Sequence, residues 1–220
     1  MKERFTNYSI YAKTSMQEIF PTEFFKDALQ LNAVNFNSSW IENKGGLQFE
    51  VHALPAEAQL APVYGIVARD IDEDGYLDLL LNGNEFSMAP SLGRNDALNG
   101  VVLMGKGKSF LALPPGKSGF YVGGNGKGLV DFMLNGNYAI SAAQNFGPLK
   151  TFQLKQSSRA ITLEPEDRIV SIQLANGQTR KQETYWGSGF LSQSPNMVVL
   201  NKSITAVQVS NKKGEKRTLK

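Results

Sequence analysis

From Leu31 onward the chain is a succession of apolar runs of four to seven residues, rich in Val, Ile, Phe, Leu and Tyr and interrupted by Gly, Asn and Pro clusters. Runs of that length between turn formers predict short β-strands. The first thirty residues are the exception. There Ser15 and Glu18 have the spacing of a capping box, and Thr22, after Pro21 and before EFFKDAL, reads as a second N-cap. The pattern predicts a mainly β protein with two short helices at its start.

The strand pattern also repeats. LDLLLNGNEF at 77–86 recurs as VDFMLNGNYA at 130–139, 53 residues on, and WIENKGGLQFEVHALP at 40–55 is echoed by VVLMGKGKSFLALP at 101–114. Each unit reads as a strand, a tight loop, a second strand ending in Asn-Gly-Asn, and a hairpin turned by a Gly-Lys pair. Periods of this size, with about four strands each, belong to propeller blades and related β arrays.

Composition narrows the class. At 220 residues and 41% apolar content, with no long uncharged apolar run, the chain is expected to be a soluble globular protein without a transmembrane segment. No apolar stretch follows MKERFTNYSI, so no signal peptide is expected in this chain. The absence of cysteine excludes disulfides, thiolate zinc sites and cysteine nucleophiles. Charge is uneven: residues 1–149 carry 11 Lys and Arg against 15 Asp and Glu, whereas residues 150–220 carry 12 against 5. That shift suggests a boundary near residue 150. Much of the basic excess lies in the tail NKKGEKRTLK, where solvated lysines account for it without a nucleic-acid partner.

The densest chemistry is at 69–84, RDIDEDGYLDLLLNGN. Asp70, Asp72, Asp74 and Asp78 stand at positions 1, 3, 5 and 9 of a loop with Gly75 at position 6. Carboxylates that close repel one another unless a cation lies between them, and a hard divalent ion takes six to eight oxygens at about 2.3–2.6 Å. The expected ion is Ca²⁺, held by the four aspartates and the backbone carbonyl of Tyr76, with Glu73 pointing outward. An EF-hand begins the same way but needs a bidentate Glu at its twelfth position, which here is Leu81, and helical flanks where these are strand-like. Magnesium fits less well, because it keeps its waters and demands a tighter octahedron. An isolated exposed loop of this kind is expected to bind calcium weakly, on the order of 10⁻⁴–10⁻³ M.

DIDEDGYLDLLL resembles the calcium loop of FG-GAP repeats, also called VCBS repeats, the blades of integrin-α-type β-propellers. RKQETYWGSGFLSQSP at 180–195 resembles the GSGYLSQS signature of the UnbV domain, also called ASPIC, found at the C-terminus of cartilage-acidic-protein-like and bacterial FG-GAP proteins. With EVHALPAEAQLAPVYGIVARDID and NFGPLKTFQLK, the resemblance extends over most of the chain. After the helical lead-in read over 1–30, it implies a partial β-propeller of two to two and a half blades over about 31–156 and a small β domain over about 160–220. Closed propellers have four to eight blades, so the chain is expected to be the C-terminal part of a longer protein. The resemblance further implies a secreted, periplasmic or surface-displayed bacterial protein, with a protein or glycan partner at the cell surface. One departure is clear: aligning the second unit on Asp131 places Gly123, Asn125 and Lys127 where Asp70, Asp72 and Asp74 stand. That loop is not expected to hold calcium, and the Lys127 ammonium is expected in the ion's place.

Other motifs are weaker. GGNGKG at 123–128 lacks the Ser or Thr and the helix of a phosphate-binding loop. His52, the sole histidine, would have to carry a Ser-His-Asp triad alone and reads better as a half-buried hairpin residue. A paired-carboxylate glycosidase would need acids not already bound to an ion. Tyr185 and Trp186, before the turn at Gly187, admit two readings: packing between domains, or, with Phe86, a surface that stacks on sugars or anchors a partner. The function expected is therefore a non-enzymatic, calcium-stabilised binding or scaffold module. The alternative is a glycan-binding accessory module or a carbohydrate-active enzyme. Blades with open edges are also expected to be covered by the flanking segments or to self-associate.

Overall fold

Leu79, Leu80 and Leu81 break the in-out alternation of a strand with one solvated face, and the surroundings explain why. The structure, a computed structural model, describes residues 5–219 and separates into two compact units, one ending at Phe36 and one beginning at Asn37.

In the first unit, Asn7 caps α1 (Tyr8–Lys13) by accepting from the Ser9 amide, and α2 (Met16–Ile19) carries the expected capping pair, with Ser15 N and Oγ each donating to Glu18 Oε2 at 2.8 Å. Thr22 is not a cap. It is the first residue of a 3₁₀ turn over Thr22–Phe25, preceded by Pro21, and the segment forms no second α-helix of the expected length. None of the described residues of this unit is buried.

The second unit opens with a hairpin of β1 (Ser39–Gly45) and β2 (Gln48–Ala53), turned at Gly46 and Leu47, both at positive φ. An antiparallel meander follows in the order β3 (Val63–Arg69), β4 (Asp78–Gly83), β5 (Val101–Gly105) and β6 (Phe110–Leu113). After a short helix α3 (Pro115–Ser118) comes a three-stranded antiparallel sheet of β7 (Asn125–Leu134), β8 (Asn137–Asn145) and β9 (Lys150–Ser157). The remaining strands are β10 (Arg159–Thr162), β11 (Asp167–Leu174), β12 (Thr179–Glu183), β13 (Met197–Leu200), β14 (Ile204–Asn211) and β15 (Lys216–Leu219). Of these, β10 pairs with β13, and the others form a sheet in the order β12-β11-β14-β15.

The meander is the middle layer. Leu81, Val101 and Leu103 pack on one face with Leu54, Leu98 and Trp40, while Val67, Leu80 and Val102 pack on the other with Leu129, Tyr138 and Ile140 of the three-stranded sheet. A strand between two cores needs apolar residues on both sides, which is the pattern that β4 carries. The strand β13 ties the last sheet to these layers. Its Met197 enters the core shared by the meander and the three-stranded sheet, and Val198 enters a separate core with Val170, Ile172, Val207 and Val209. The charge shift near residue 150 falls at the start of β9, inside a sheet.

The internal repeat does not produce two like units. Asn82 and Asn84 are fully buried and act as struts: Asn82 Nδ2 donates to Gly128 O, and Asn84 joins Gly124 O to the Leu98 amide. In the second copy, Asn135 and Gly136 form the two-residue turn between β7 and β8, with φ of 51° and 79°. Both being left-handed is what such a tight hairpin requires. The loop expected at 123–128 is largely strand, because β7 already starts at Asn125.

The strands β3 and β7 abut at Gly65, where a Cβ would lie 2.0 Å from Asn82 Oδ1 and 2.6 Å from Leu129 Cβ. Beside this contact Lys127 Nζ reaches Glu85 Oε2 (3.1 Å) and Asn84 O (3.0 Å), lies over the Tyr64 ring, and shares Glu85 with the Tyr64 hydroxyl (2.6 Å). Lys127 thus does not sit at Asp131, as the sequence alignment suggests.

Two outcomes follow from this seam. Gly65→Ala forces backbone apart at a packed junction and is expected to cost about 1–3 kcal/mol in urea unfolding; an unchanged midpoint would contradict the close approach. The Glu85 carboxyl is held down to about 2, first by the Tyr64 hydroxyl and then by the Ser87 amide and Lys127. A lowered carboxyl pKa stabilises the fold above the unfolded value of about 4.3, and that gain disappears as pH falls through the folded value. Glu85→Gln is therefore expected to lower the urea midpoint at pH 7 and to converge on the parent toward pH 2.

Candidate functional site

The aspartate loop spans the connection from β3 to β4, with Asp70 just after one strand and Asp78 as the first residue of the next. Strand pairing brings those two ends together, since Arg69 lies opposite Asp78 in the register. Between them the chain turns through Glu73 (φ 63°) and Gly75 (φ 95°). Two side-chain to backbone bonds hold the turn: Asp72 Oδ1 accepts from the Asp74 amide, and Asp74 Oδ1 from the Tyr76 amide.

One oxygen each of Asp70, Asp72 and Asp78 lie within 4.8 Å of one another. That is the span across a cation whose ligands stand at about 2.3–2.6 Å. Asp78 is fully buried, with Oδ2 accepting from Ile71 N and Oδ1 from Gly105 N, both at 2.8 Å. Burial pushes its carboxyl up, the two amides oppose this, and the negative charges of Asp72 and Asp70 reinforce it. Asp70 Oδ2 accepts from Gly75 N, Asn201 Nδ2 and Ser203 Oγ, whereas its Oδ1 is buried without a hydrogen-bond partner. A carboxylate that clusters with two others and keeps one buried oxygen without a donor, in an all-oxygen set, fits a hard divalent cation. The residues present thus fit a hard divalent cation, the class to which calcium belongs.

The other expected ligands stand apart from this cluster. The Asp74 carboxylate turns toward Lys106 Nζ at 2.7 Å; burial pushes it up, but hydrogen bonds from Lys106 and the Tyr76 amide outweigh that and bring it below its ordinary value. Lys106 also lies 3.5 Å from Asp72. Tyr76 has an exposed side chain and is fixed by its backbone, as a carbonyl ligand would be. Glu73 does not point freely outward, because it pairs with Lys202 at 3.5 Å.

The loop is not a solitary exposed turn. Besides Asn201, Ser203 and Lys202, Arg180 reaches in from β12, its Nη1 3.4 Å from Gly75 O. These residues, and Lys106 after β5, are the functional neighbours that spacing in the sequence does not announce; they lie up to 133 residues from the loop residue they contact. In the second unit, the surviving Asp131 is paired with Arg69 Nε at 2.7 Å and accepts from the Tyr138 hydroxyl at 3.0 Å. The cation there is a guanidinium from β3, not Lys127.

Tyr185 and Trp186 are 60% and 61% exposed, so neither belongs to a core. The segment that follows them is held over β7: Ser194 Oγ accepts from the Asp131 amide, Gln193 Oε1 from the Gly187 amide, and Phe190 packs on Tyr64 with centroids 4.8 Å apart. Phe86 lies elsewhere, under the Arg94 guanidinium. His52 stacks on Trp40, and its Nε2, which has no hydrogen-bond partner, lies 3.4 Å from Glu42 across the β1–β2 hairpin and 3.8 Å from Glu50 of its own strand, a second cluster able to hold a metal ion. At 123–128 the strand β7 stands where a phosphate loop would open a helix. No helix among the described residues is long and apolar enough to cross a membrane. No protein-family model matches the chain, and no curated protein matches it significantly, so the FG-GAP and UnbV resemblance rests on the motifs alone.

Exposed side chains contribute little to stability, within about 0.5 kcal/mol each. Replacing Tyr185 and Trp186 together by Ala is expected to move the melting temperature by no more than roughly a degree or two. A larger drop in a thermal melt would mean that they support the fold.

Proposed function

We propose that this chain is a calcium-stabilised, non-enzymatic binding or scaffold module of the FG-GAP type, with a C-terminal part of the UnbV type, on a secreted or surface-displayed protein. The observation that carries the proposal is the Asp70, Asp72 and Asp78 oxygen cluster with its unpartnered Asp70 Oδ1. In this reading calcium is held by these three, with Asp74 and the Tyr76 carbonyl completing the set once Lys106 is displaced. The ion neutralises carboxylates that otherwise repel. It thereby fixes a loop on which the C-terminal sheet rests through Asn201 and Ser203.

Stacked antiparallel layers with one strand buried on both faces support a partial propeller. The outer side of the β1–β2 hairpin, with Ile41, Phe49 and Val51 more than half exposed, presents a surface on which a further blade stacks. A binding role is supported by the exposed Tyr185 and Trp186 on a loop braced against β7. Turnover would need a proton donor and acceptor set apart in one pocket. Here Asp70, Asp72 and Asp78 are given to the ion, and the other acidic cluster among the described residues, Glu42 and Glu50 with His52, lies on the β1–β2 hairpin, where His52 stacks on Trp40.

Calorimetry tests this reading. One calcium per chain is expected, on the order of 10⁻⁴ M, the tight end for extracellular modules, because Asp70 and Asp78 are already positioned. Asp72→Asn is expected to weaken binding tenfold or more. Lys106→Ala is expected to tighten it a few-fold, since two unit charges about 4 Å apart in water interact by about 1 kcal/mol. No binding, or indifference to both substitutions, contradicts the proposal.

A further inference from the structure

A cleft of about 420 Å³ opens between β3 and the segment from β12 to β13, a size typical of small-ligand sites. Its polar groups divide into two sets. Asp131 is satisfied by Arg69 and Tyr138, Gln193 is spent within its own loop, and the Ser194 hydroxyl accepts from the Asp131 amide of β7. Arg180 and Gln182 alternate along β12 toward the cleft side, and Asn196 precedes β13; among the described residues the Gln182 and Asn196 side-chain amides have no hydrogen-bond partner. The half-buried Arg180 guanidinium has five N–H donors, and its one contact is the 3.4 Å approach to Gly75 O.

The charge balance points to the missing partner. Arg69 has Asp131, and Lys181 and Glu183, which also line the cleft, pair with each other at 3.0 Å. Asp70 attracts Arg180, and burial is the main effect that disfavours the charged guanidinium. Asp70 spends Oδ2 on Gly75, Asn201 and Ser203, however, and its buried Oδ1 has no hydrogen-bond partner, Arg180 included. Arg180 is left as a cation whose planar fork suits a carboxylate from outside. Around it stand two uncommitted amides, and at the rim is the exposed Tyr185 ring. Free amides with an aromatic face are the equipment for a pyranose ring, with hydroxyls to bond and a C–H face to stack.

We propose that this cleft binds an acidic saccharide, with Arg180 holding a uronate carboxylate, Gln182 and Asn196 bonding ring hydroxyls, and Tyr185 stacking on the sugar. The proposal rests on the binding-module reading and names its ligand class. An acidic peptide shares the carboxylate but would leave the amide pair and the ring without a matched role.

The test is calorimetry on the full chain in saturating calcium with three probes: a hyaluronan tetrasaccharide, neutral chitotetraose and tetraglutamate. The hyaluronan tetramer is expected to bind at least tenfold tighter than the other two. Arg180→Gln is expected to remove that preference, and Tyr185→Ala, at an exposed position, to weaken binding severalfold with an unchanged melting temperature. Equal binding of the two saccharides, or indifference to Arg180→Gln, overturns the acidic-ligand assignment and leaves the binding role standing. Preference for tetraglutamate overturns the saccharide. A chain that binds calcium but none of the three overturns the inference without touching the calcium reading, whereas loss of calcium binding defeats that reading first.

Discussion

The burial of Asp78 beside Asp70 and Asp72 is the constraint on which the rest of the second unit turns. Asp78 is the first residue of β4, the strand with apolar residues on both faces, and its carboxylate bonds Ile71 N at the loop's beginning and Gly105 N at the end of β5. One buried side chain thus joins the loop, the middle sheet and the neighbouring strand. Asp70 extends the connection to the last sheet through Asn201 and Ser203. Bringing these negative charges together out of water is unfavourable by itself, and every group that meets them is a donor or a cation: backbone amides, Asn201, Ser203, Arg180 and Lys106. A divalent ion completes that logic, because it can satisfy the Asp70 oxygen that no protein donor reaches.

The seam between β3 and β7 solves a second problem with different means. Two sheet edges can meet closely only where side chains are absent or specifically paired. Gly65 provides the absence. Asn82, Asn84, Lys127 and Arg69 provide the pairing, each crossing from one sheet to a carbonyl or carboxylate of the other. The segment after Trp186 then lies on β7 through Ser194 and on Tyr64 through Phe190. Its aromatics Tyr185 and Trp186 are presented outward by a loop whose base is fixed, the arrangement in which a recognition surface loses least on ordering.

What the sequence disclosed was what is local. The aspartates and the glycine lie within nine consecutive residues, 70–78, with a strand-like run on either side, so spacing alone identified the turn and its oxygen-rich character. The mainly β class was readable for the same reason, since short apolar runs and turn residues are neighbours in the chain. Long-range partners were not. Nothing near Asp70 indicates Asn201 or Ser203, and nothing near Asp131 indicates Arg69, 62 residues earlier. The repeat misled because identical letters met different surroundings: Asn82 and Asn84 are buried between sheets, whereas Asn135 and Gly136 are free to turn a hairpin. Thr22 misled more simply, since cap chemistry was present without enough buried apolar surface to draw a helix out of the segment.

The central claim is that a cation in the Asp70–Asp78 loop stiffens both the middle sheet and the C-terminal sheet. Amide hydrogen exchange in calcium and in chelator measures this directly. The account predicts that calcium slows exchange at Ile71, Gly75 and Gly105 and, through Asn201 and Ser203, at the start of β14. Identical exchange in the two conditions, or a change confined to the loop, would contradict it.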